Sequence, residues 1–113
     1  MKPPYFIETL ARNGEVLSRQ RVAGLPILLG RGYDNDCILD DAHIGANHAV
    51  IEPDAEGRLL LRDLGSKNGV VWRGRRHASI ALEADTVVRL GQTHLRVRGA
   101  DCPVPAELAD TSS

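Results

Sequence analysis

The feature that most constrains the fold of this chain is a succession of short β-prone runs with no helical periodicity between them. No window of helical length keeps apolar residues at the i, i+3, i+4, i+7 spacing of an amphipathic helix. Glycine, aspartate, asparagine and proline separate the runs, and many short strands divided by turn residues predict an all-β sandwich or barrel. The predicted strands are Tyr5–Leu10, Val16–Val22, Ile27–Leu29, Cys37–Leu39, His48–Glu52, Leu59–Arg62, Val70–Trp72, Thr86–Leu90 and Thr93–Arg98.

The last two predicted strands give the clearest local signal. Leu95 and Val97 alternate with polar neighbours, which is typical of a sheet with one buried and one solvated face. Gly91 and Gln92 leave room for only a tight turn before Thr93. We therefore expect a hairpin here, and a second one where Asn13-Gly14 separates the first two strands.

Length and composition limit the functions that are open to the chain. It has 113 residues, 42% of them hydrophobic and only 4% aromatic, so we expect one domain with an aliphatic core. A formal net charge of -1 provides no overall field that would attract nucleic acid or an acidic membrane. There is no apolar signal core and no run long enough to span a bilayer. Cys37 and Cys102 fit no zinc or redox spacing, so we expect reduced thiols, a cytoplasmic setting, and neither metal nor cofactor.

Three loops hold the unusual polar residues. In the first, Gly30 ends an apolar run and Arg31 follows it, and an arginine at a strand end suits bidentate binding of phosphate or carboxylate. Taken alone, Arg31 is better explained by a simple ion pair with a nearby aspartate. The second loop, 40–47, runs into His48, whose place at the start of a strand favours a structural role.

The third loop is the segment Asp-Leu-Gly-Ser-Lys-Asn-Gly at 63–69. Serine, asparagine and glycine favour a tight turn with side-chain-to-backbone hydrogen bonds. Asn68 offers both an amide donor and an acceptor to an extended peptide, and Lys67 adds a positive charge. In isolation, a plain hairpin turn is the better explanation of the segment.

The order of these features resembles the forkhead-associated (FHA) domain from about Leu25 to Val97. The resemblance implies an eleven-stranded antiparallel sandwich of two sheets, whose loops at one end read phosphothreonine in an extended peptide. It implies that Arg31 grips the phosphate, that Lys67 gives it a further contact and that Asn68 holds the peptide backbone. It also implies roles in shaping the loops for four residues, which are Gly30, His48, Ser66 and Gly69.

The chain departs from the family pattern in the second loop. The family usually has Ser-Arg-x-His there, whereas this chain has Gly45, Ala46, Asn47 and His48. Losing one hydrogen bond to a charged group costs about 1.5–3 kcal/mol, so we expect impaired phosphate affinity at a site that still includes Gly45 and Ala46. Arg73 also stands where a second asparagine is common. Three outcomes stay open: weak phosphothreonine binding, binding for which Arg31 and Lys67 suffice, or an interaction that needs no phosphate.

Other classes of function fit less well. Ser66, His48 and Asp63 suggest a hydrolase triad, but no strained nucleophile elbow is evident, so we expect no enzyme. The arginines 73, 75 and 76 form a cluster that is a candidate for docking nucleic acid or an acidic partner, although the family layout places it away from the phosphate loops. A further alternative is a phosphate-independent scaffolding domain of a larger bacterial regulatory or secretion protein.

The expected organisation is one FHA domain over residues 1–99 and a disordered tail or linker over 100–113. The partner is expected to be a protein or peptide phosphorylated on threonine, or an unphosphorylated protein. We expect a monomer that binds neither nucleic acid nor a membrane through this segment.

Overall fold

The computed structural model describes residues 2–101, which form eleven strands and no helix. The predicted two-sheet β-sandwich is therefore confirmed. The predicted tail from 100 to 113 lies, beyond residue 101, outside the described residues. The strands are β1 (Tyr5–Leu10), β2 (Val16–Val22), β3 (Ile27–Gly30), β4 (Cys37–Ile38), β5 (Ala49–Pro53), β6 (Leu59–Asp63), β7 (Val70–Trp72), β8 (Arg75–His77), β9 (Ser79–Leu82), β10 (Val87–Leu90) and β11 (Thr93–Gly99).

The strands divide into a six-stranded and a five-stranded sheet. The six-stranded sheet has the order β2-β1-β11-β10-β7-β8, and the five-stranded sheet has the order β4-β3-β5-β6-β9. Most neighbours are antiparallel, but β3 and β4 pair in parallel through Leu29–Cys37 and Gly30–Ile38. This pair is the exception in a sandwich that is otherwise antiparallel, as the sequence analysis predicted. The chain reaches it through the loop 31–36, which carries part of the candidate site.

All nine predicted runs form strands, with ends that differ by a residue or so from the prediction. Two strands lie outside the predicted set. Arg75–His77 is short and mostly charged, and it pairs with β7 across the turn at Arg73 and Gly74. Ser79–Leu82 alternates exposed and buried residues and completes the second sheet beside β6. Strand β8 has no apolar residue that would mark it as a strand, and only Ala78 separates it from β9.

The core lies between the two sheets and is aliphatic, as the composition predicts. Strand β1 contributes Ile7, and β11 contributes Leu95 and Val97, which confirms the alternation predicted for the last strand. The five-stranded sheet contributes Ile27, Leu29, Ile51 and Leu61, each at most 1% exposed. Burial of each such side chain contributes roughly 1.5–3 kcal/mol, so the sandwich provides a rigid base for its loops.

The predicted hairpin between β10 and β11 positions the loop end of the sandwich. Leu90 pairs with Thr93, and Gly91 adopts a φ of +59° in the turn between them. A Cβ on Gly91 would lie 2.9 Å from the His43 carbonyl carbon, so glycine allows this turn to pack against the chain between β4 and β5. No helix within residues 2–101 is long and apolar enough to cross a membrane.

Candidate functional site

The three polar loops of the sequence meet at one end of the sandwich. The β3–β4 loop packs along the β4–β5 loop through backbone hydrogen bonds. The Arg31 N–H donates to the Gly45 carbonyl over 3.0 Å, and the Gly32 N–H donates to the Ala46 carbonyl over 3.1 Å. These two bonds hold Arg31 next to the loop in which the family's usual serine is replaced.

Asn35, which the sequence analysis did not select, joins the same two loops from within. Its side chain is buried at 7% exposure, and its Nδ2 donates to the carbonyls of Gly32 and Ala46 over 2.7 and 2.6 Å. Its Oδ1 accepts from Nδ2 of Asn47 over 3.1 Å. An asparagine that hydrogen-bonds to both loops in this way fixes their position relative to each other.

Glycine is required at position 30 because the backbone of the β4–β5 loop comes very close to it, and not because of an unusual backbone angle. A Cβ at this position would lie 2.3 Å from the Ala46 carbonyl oxygen and 2.8 Å from Nδ2 of Asn35. No side chain fits there without moving the β4–β5 loop. Contact between two backbones therefore requires glycine at this position.

His48 connects the second and third loops. Its side chain is fully buried, and its Nδ1 accepts a hydrogen bond from the Gly45 N–H over 3.0 Å. The ring hydrogen therefore lies on Nε2, which faces the Gly69 carbonyl at 2.7 Å and the Ser66 Oγ at 3.0 Å. The backbone of His48 also donates to Leu29 and accepts from Leu64. This residue is an internal brace with no surface through which it could meet a ligand.

Ser66 completes the brace in an arrangement unlike that of a hydrolase. Its hydroxyl donates to Oδ1 of Asp63 over 2.6 Å and accepts from the Gly69 N–H over 2.8 Å. In a catalytic triad the histidine takes the serine proton and the aspartate holds the histidine. Here Asp63 accepts the hydrogen bond of the Ser66 hydroxyl. The Nε2 hydrogen of His48 points toward the Ser66 Oγ, so His48 does not accept the serine proton. The three residues therefore form a structural turn.

The backbone N–H of Gly45 is already engaged by His48. This N–H therefore has no hydrogen left for a phosphate. The neighbouring N–H groups of Ala46 and Asn47 make no hydrogen bond within residues 2–101. They are the donors that this loop has available for an anion.

Two cations stand at this end without internal counter-ions. The side chains of Arg31 and Lys67 are exposed, and within residues 2–101 neither one forms an ion pair or a side-chain hydrogen bond. The alternative in which Arg31 pairs with a nearby aspartate is therefore not what the structure shows. Tyr33, in the same loop as Arg31, is 93% exposed and offers an aromatic surface that the sequence analysis did not select.

Asn68 lies at the edge of a polar cleft between the third loop and the β10–β11 turn. Its Nδ2 donates to the His43 carbonyl over 2.7 Å, which leaves its Oδ1 as the side-chain atom without a partner among the described residues. The cleft has a volume of about 220 Å³ and is lined by His43, Asn68, Arg89, Gly91 and Gln92. The third loop is thus tied to the second by a side chain expected to meet a peptide.

Arg76 lies against the third loop, contrary to the expectation that its cluster is remote from it. Its Nη2 donates to the Ser66 carbonyl over 3.0 Å. A Cβ on Gly69 would lie 2.2 Å from Nε of Arg76, and Gly69 itself has a φ of +67°. Arg73 instead lies over the Trp72 ring at 4.6 Å, and its φ of +49° explains why asparagine is favoured at such a position.

Asp41 fastens the second loop to the β10–β11 turn. One carboxylate oxygen accepts from the His43 N–H over 2.8 Å, and the other accepts from the Gln92 N–H and the Thr93 hydroxyl over 2.8 and 2.7 Å. Partial burial acts to raise the pKa of Asp41, but these three hydrogen bonds outweigh it and lower the pKa below 3.8. The described part of the chain groups no three His, Cys, Asp or Glu side chains that could hold a metal ion.

Comparison with known proteins identifies the class that this fold and site define. The family model of the FHA domain matches residues 27–91, which is more than half of the chain. The chain therefore belongs to the FHA family of interaction modules. The matched segment includes the three loops and the buried histidine described above.

The transcriptional regulatory protein EmbR of Mycobacterium tuberculosis is 36% identical over 63 residues. That match covers 55% of this chain but only 16% of EmbR. A solved structure of EmbR with a low-affinity phosphopeptide covers 90% of this chain and 26% of that one, with a TM-score of 0.73 and 23% identity, which shows the shared fold alone.

Two other solved FHA domains are similar. That of the CT664 protein from Chlamydia trachomatis is 31% identical, with a TM-score of 0.70 over 84% of this chain and 96% of that one. The FHA domain of FhaA, solved in complex with the intracellular domain of Rv3910, is 26% identical, with a TM-score of 0.68 over 83% and 99% of the two chains.

Proposed function

We propose that the loop end of this sandwich binds a phosphothreonine-containing segment of a partner protein, with reduced affinity for the phosphate. The observation that carries the proposal is the pair of exposed cations, Arg31 and Lys67, on loops that are locked together and provide them with no counter-ion. A rigid site with unpaired guanidinium and ammonium groups favours a doubly charged anion.

Each loop has a separate role in this proposal. Arg31 grips the phosphate through its planar fork of donors, and Lys67 adds a point charge. The free N–H groups of Ala46 and Asn47 donate to the phosphate oxygens from the second loop. Oδ1 of Asn68 accepts from a backbone N–H of the bound peptide, while the polar cleft beside it receives a following side chain.

The second loop is the reason for the reduced affinity. Gly45 has no hydroxyl to donate, and its N–H is engaged with His48. A hydrogen bond to a charged group contributes about 1.5–3 kcal/mol, which corresponds to roughly ten- to hundredfold in affinity. Ala46 adds no charge where the family often has a basic side chain. Arg31 remains, so we expect weakened rather than abolished binding.

One observation favours a second candidate, an interaction that needs no phosphate. The Gly45 N–H and Nδ2 of Asn68 both donate hydrogen bonds inside the domain, so the loops are ordered without a ligand. A preorganised loop end with Tyr33 almost fully exposed also suits contact with an unphosphorylated protein surface. A scaffold of this kind would bind with the same loops.

We also infer that the domain lacks catalytic activity and works in the cytoplasm as a monomer. The hydrogen-bond directions around Ser66 support the first point, since its hydroxyl donates to Asp63 and is not activated by His48. We propose residues 1–99 as the functional unit. The relative FhaA was solved with the intracellular domain of another protein, and we propose that this chain likewise docks a protein partner.

A titration with a phosphothreonine peptide, followed by NMR, tests the proposal. The amide signals of Arg31, Ala46 and Asn68 should shift, and the unphosphorylated peptide should leave them in place. Arg31→Ala should abolish the shifts, whereas Arg75→Ala, which removes an exposed arginine at the start of β8, should leave them unchanged. Equal shifts with both peptides would favour the phosphate-independent candidate, and no shift at millimolar phosphopeptide would refute phosphate recognition.

A further inference from the structure

Two neighbouring clefts at the loop end of the sandwich form one continuous groove. The cleft beside Asn68, described above, is lined in part by Arg89 and Gln92. The same two residues line a second cleft of about 460 Å³, which reaches the β1–β2 turn and includes Arg12 and Leu17. We call this second cleft the sheet cleft. The groove therefore begins beside the loop site and leads away from it across the six-stranded sheet.

The strand register explains why the side chains of the sheet cleft lie together. Residues that are directly opposite in an antiparallel pair share one face of the sheet. His94 on β11 lies opposite both Arg89 on β10 and Leu10 on β1. Leu10 in turn lies opposite Val16 on β2. This row crosses four adjacent strands, and at about 4.8 Å from one strand to the next it spans roughly 14 Å.

Leu17 is displayed in the sheet cleft by a register shift in the edge strand β2. Thr9 on β1 lies opposite Ser18. The next residue of β1, Leu10, lies opposite Val16, so Leu17 has no residue opposite it. A bulge of this kind redirects a side chain, and Leu17 is 66% exposed in the cleft that the buried Leu10 also lines. An apolar side chain of a bound segment would cover Leu17 and remove its surface from water.

The charged side chains that line the groove are all basic. Arg12 and Arg89 are exposed, and within residues 2–101 neither one takes part in an ion pair. Nη1 of Arg89 donates to the Gly91 carbonyl over 3.0 Å, which holds this guanidinium where the two clefts meet. His43 and His94 complete the set, and no carboxylate of the described chain lines either cleft. The groove therefore complements an acidic segment.

We propose that this groove binds the part of a partner protein that follows its phosphothreonine, and that it selects an acidic segment carrying one apolar residue. The inference rests on the proposed function, in which the cleft beside Asn68 receives a residue that follows the phosphothreonine. An extended chain advances about 3.3 Å per residue, so the roughly 14 Å row accommodates about four further residues. Carboxylates of that segment pair with Arg89 and then Arg12, and its apolar residue packs on Leu17.

The lining of the groove favours a peptide over nucleic acid. Single strands are bound by stacking their bases on exposed aromatic rings, and neither cleft is lined by a Phe, Tyr or Trp side chain of the described chain. The net charge of -1 also provides no overall attraction for a polyanion. A short acidic segment tethered by its phosphothreonine needs no such overall field, because the loop site already holds it close to the groove.

Two phosphothreonine peptides of different length test this proposal by calorimetry and NMR. The short peptide ends about three residues after the phosphothreonine, and the long one carries about seven more, with several glutamates and one leucine. The long peptide should bind about tenfold more tightly, from two exposed ion pairs and one covered leucine, and added salt should reduce this advantage. The amide signals of Arg12, Leu17 and His94 should shift with the long peptide alone.

The double variant Arg12→Glu with Leu17→Ser should bind the long peptide only as tightly as the short one. Both side chains are exposed, so the sandwich should fold as before. Arg75→Glu with Val87→Ser is the matched control, because it makes the same two changes on the same sheet at exposed residues that do not line the groove. The control variant should keep the full advantage of the long peptide.

Failure of this inference and failure of the proposed function give different results. If neither peptide shifts the amide signals of Arg31 and Ala46, the loop site itself is refuted and the groove proposal with it. If the short peptide binds but the long one binds no more tightly, or if both double variants lose the advantage equally, the groove proposal is overturned while the loop site stands. Equal binding of the long peptide without its phosphate, or tighter binding of a single-stranded oligonucleotide in the groove, would also overturn it.

Discussion

The backbone N–H of Gly45 donates to Nδ1 of His48 over 3.0 Å, and this bond defines the character of the second loop. The glycine replaces the serine of the family pattern, yet the loop is held by a buried ring that also contacts Ser66 and Gly69. What Gly45 lacks is a side-chain donor.

The replacement of Gly45 and Ala46 by the family's usual residues should restore phosphate affinity. A Cβ on Gly45 meets no atom closer than 3.8 Å, and its φ is not in the left-handed region, so serine fits without rearrangement. Gly45→Ser with Ala46→Arg should tighten binding of a phosphothreonine peptide by roughly ten- to hundredfold, from one hydroxyl bond and one charge. Isothermal titration calorimetry would measure the change.

The unphosphorylated peptide is the control for this gain, and its affinity should stay as it was. Addition of Arg31→Ala to the double variant should remove the gain. If the double variant binds the phosphopeptide no better than the original chain, then the loop does not present residue 45 to the phosphate.

Gly30→Ala should destabilise the domain by several kcal/mol. The added methyl group would lie 2.3 Å from the Ala46 carbonyl oxygen, which belongs to backbone and cannot rotate away. Overpacking typically costs about 1–3 kcal/mol, and loss of the Asn35 bonds to Ala46 would add to this. The free energy of unfolding would be measured by urea denaturation, with the fluorescence of Trp72 as the signal.

Gly24→Ala is the matched comparison, because a Cβ there meets nothing within 4 Å and φ lies outside the left-handed region. This variant should unfold within about 1 kcal/mol of the original chain, since Gly→Ala at a compatible site mainly restricts the unfolded state. Equal unfolding midpoints for the two alanine variants would contradict the close approach inferred at Gly30.

Acid should destabilise the domain partly through Asp41. Its folded-state pKa lies below 3.8 because of three hydrogen bonds, so its contribution is present above the unfolded value and is lost as the pH falls through the folded value. Asp41→Asn removes that charge and should flatten the stability profile between about pH 5 and 2. At pH 7 the Asp41→Asn substitution should lower the free energy of unfolding by about 2 kcal/mol, which is typical of hydrogen bonds to a charged group.

Urea unfolding at a series of pH values measures this profile. Asp40→Asn, at the exposed neighbouring residue, controls for a general charge effect and should keep the original slope. An identical slope for Asp41→Asn and the original chain would show that Asp41 does not carry this part of the acid sensitivity.

The thiol of Cys37 should be inert in the folded domain. Burial, followed by the negative charge of Asp36, raises its pKa to about 12, and its side chain is 0% exposed. In a Cys102→Ser variant, Ellman's reagent at pH 8 should react slowly with the native domain and at once in 6 M urea, since the thiolate is the reactive form. Rapid stoichiometric reaction without urea would refute the burial of Cys37.

Much of the fold could be predicted from local sequence patterns. Alternation on β11 and the turn residues between runs are properties of neighbouring residues, and the nine predicted runs all form strands. Strand β8 was missed because it has no apolar residue and is held by its pairing with β7, and β9 was missed because only Ala78 separates it from β8. The parallel pairing of β4 depends on a contact across a loop, which no local pattern records.

The candidate site could also be predicted in part from local sequence patterns. Arg31, Lys67 and Asn68 were selected by type and by resemblance, and the structure brings their loops together. Asn35 and Asp41 were missed, because their partners are eleven and 51 or 52 residues away in sequence. Long-range hydrogen bonds of this kind leave no periodic signal, and only folding reveals which polar residue is structural.

The pairing of β1 with β11 has a consequence for protein engineering. The Ala100 N–H donates to the Lys2 carbonyl over 2.8 Å, so the two ends of the described chain leave the sandwich side by side. Strand β11 runs the length of the sheet from the loop end to this point. The domain can therefore be inserted into a host protein, or circularly permuted through a short linker, with its recognition loops facing away from the junction.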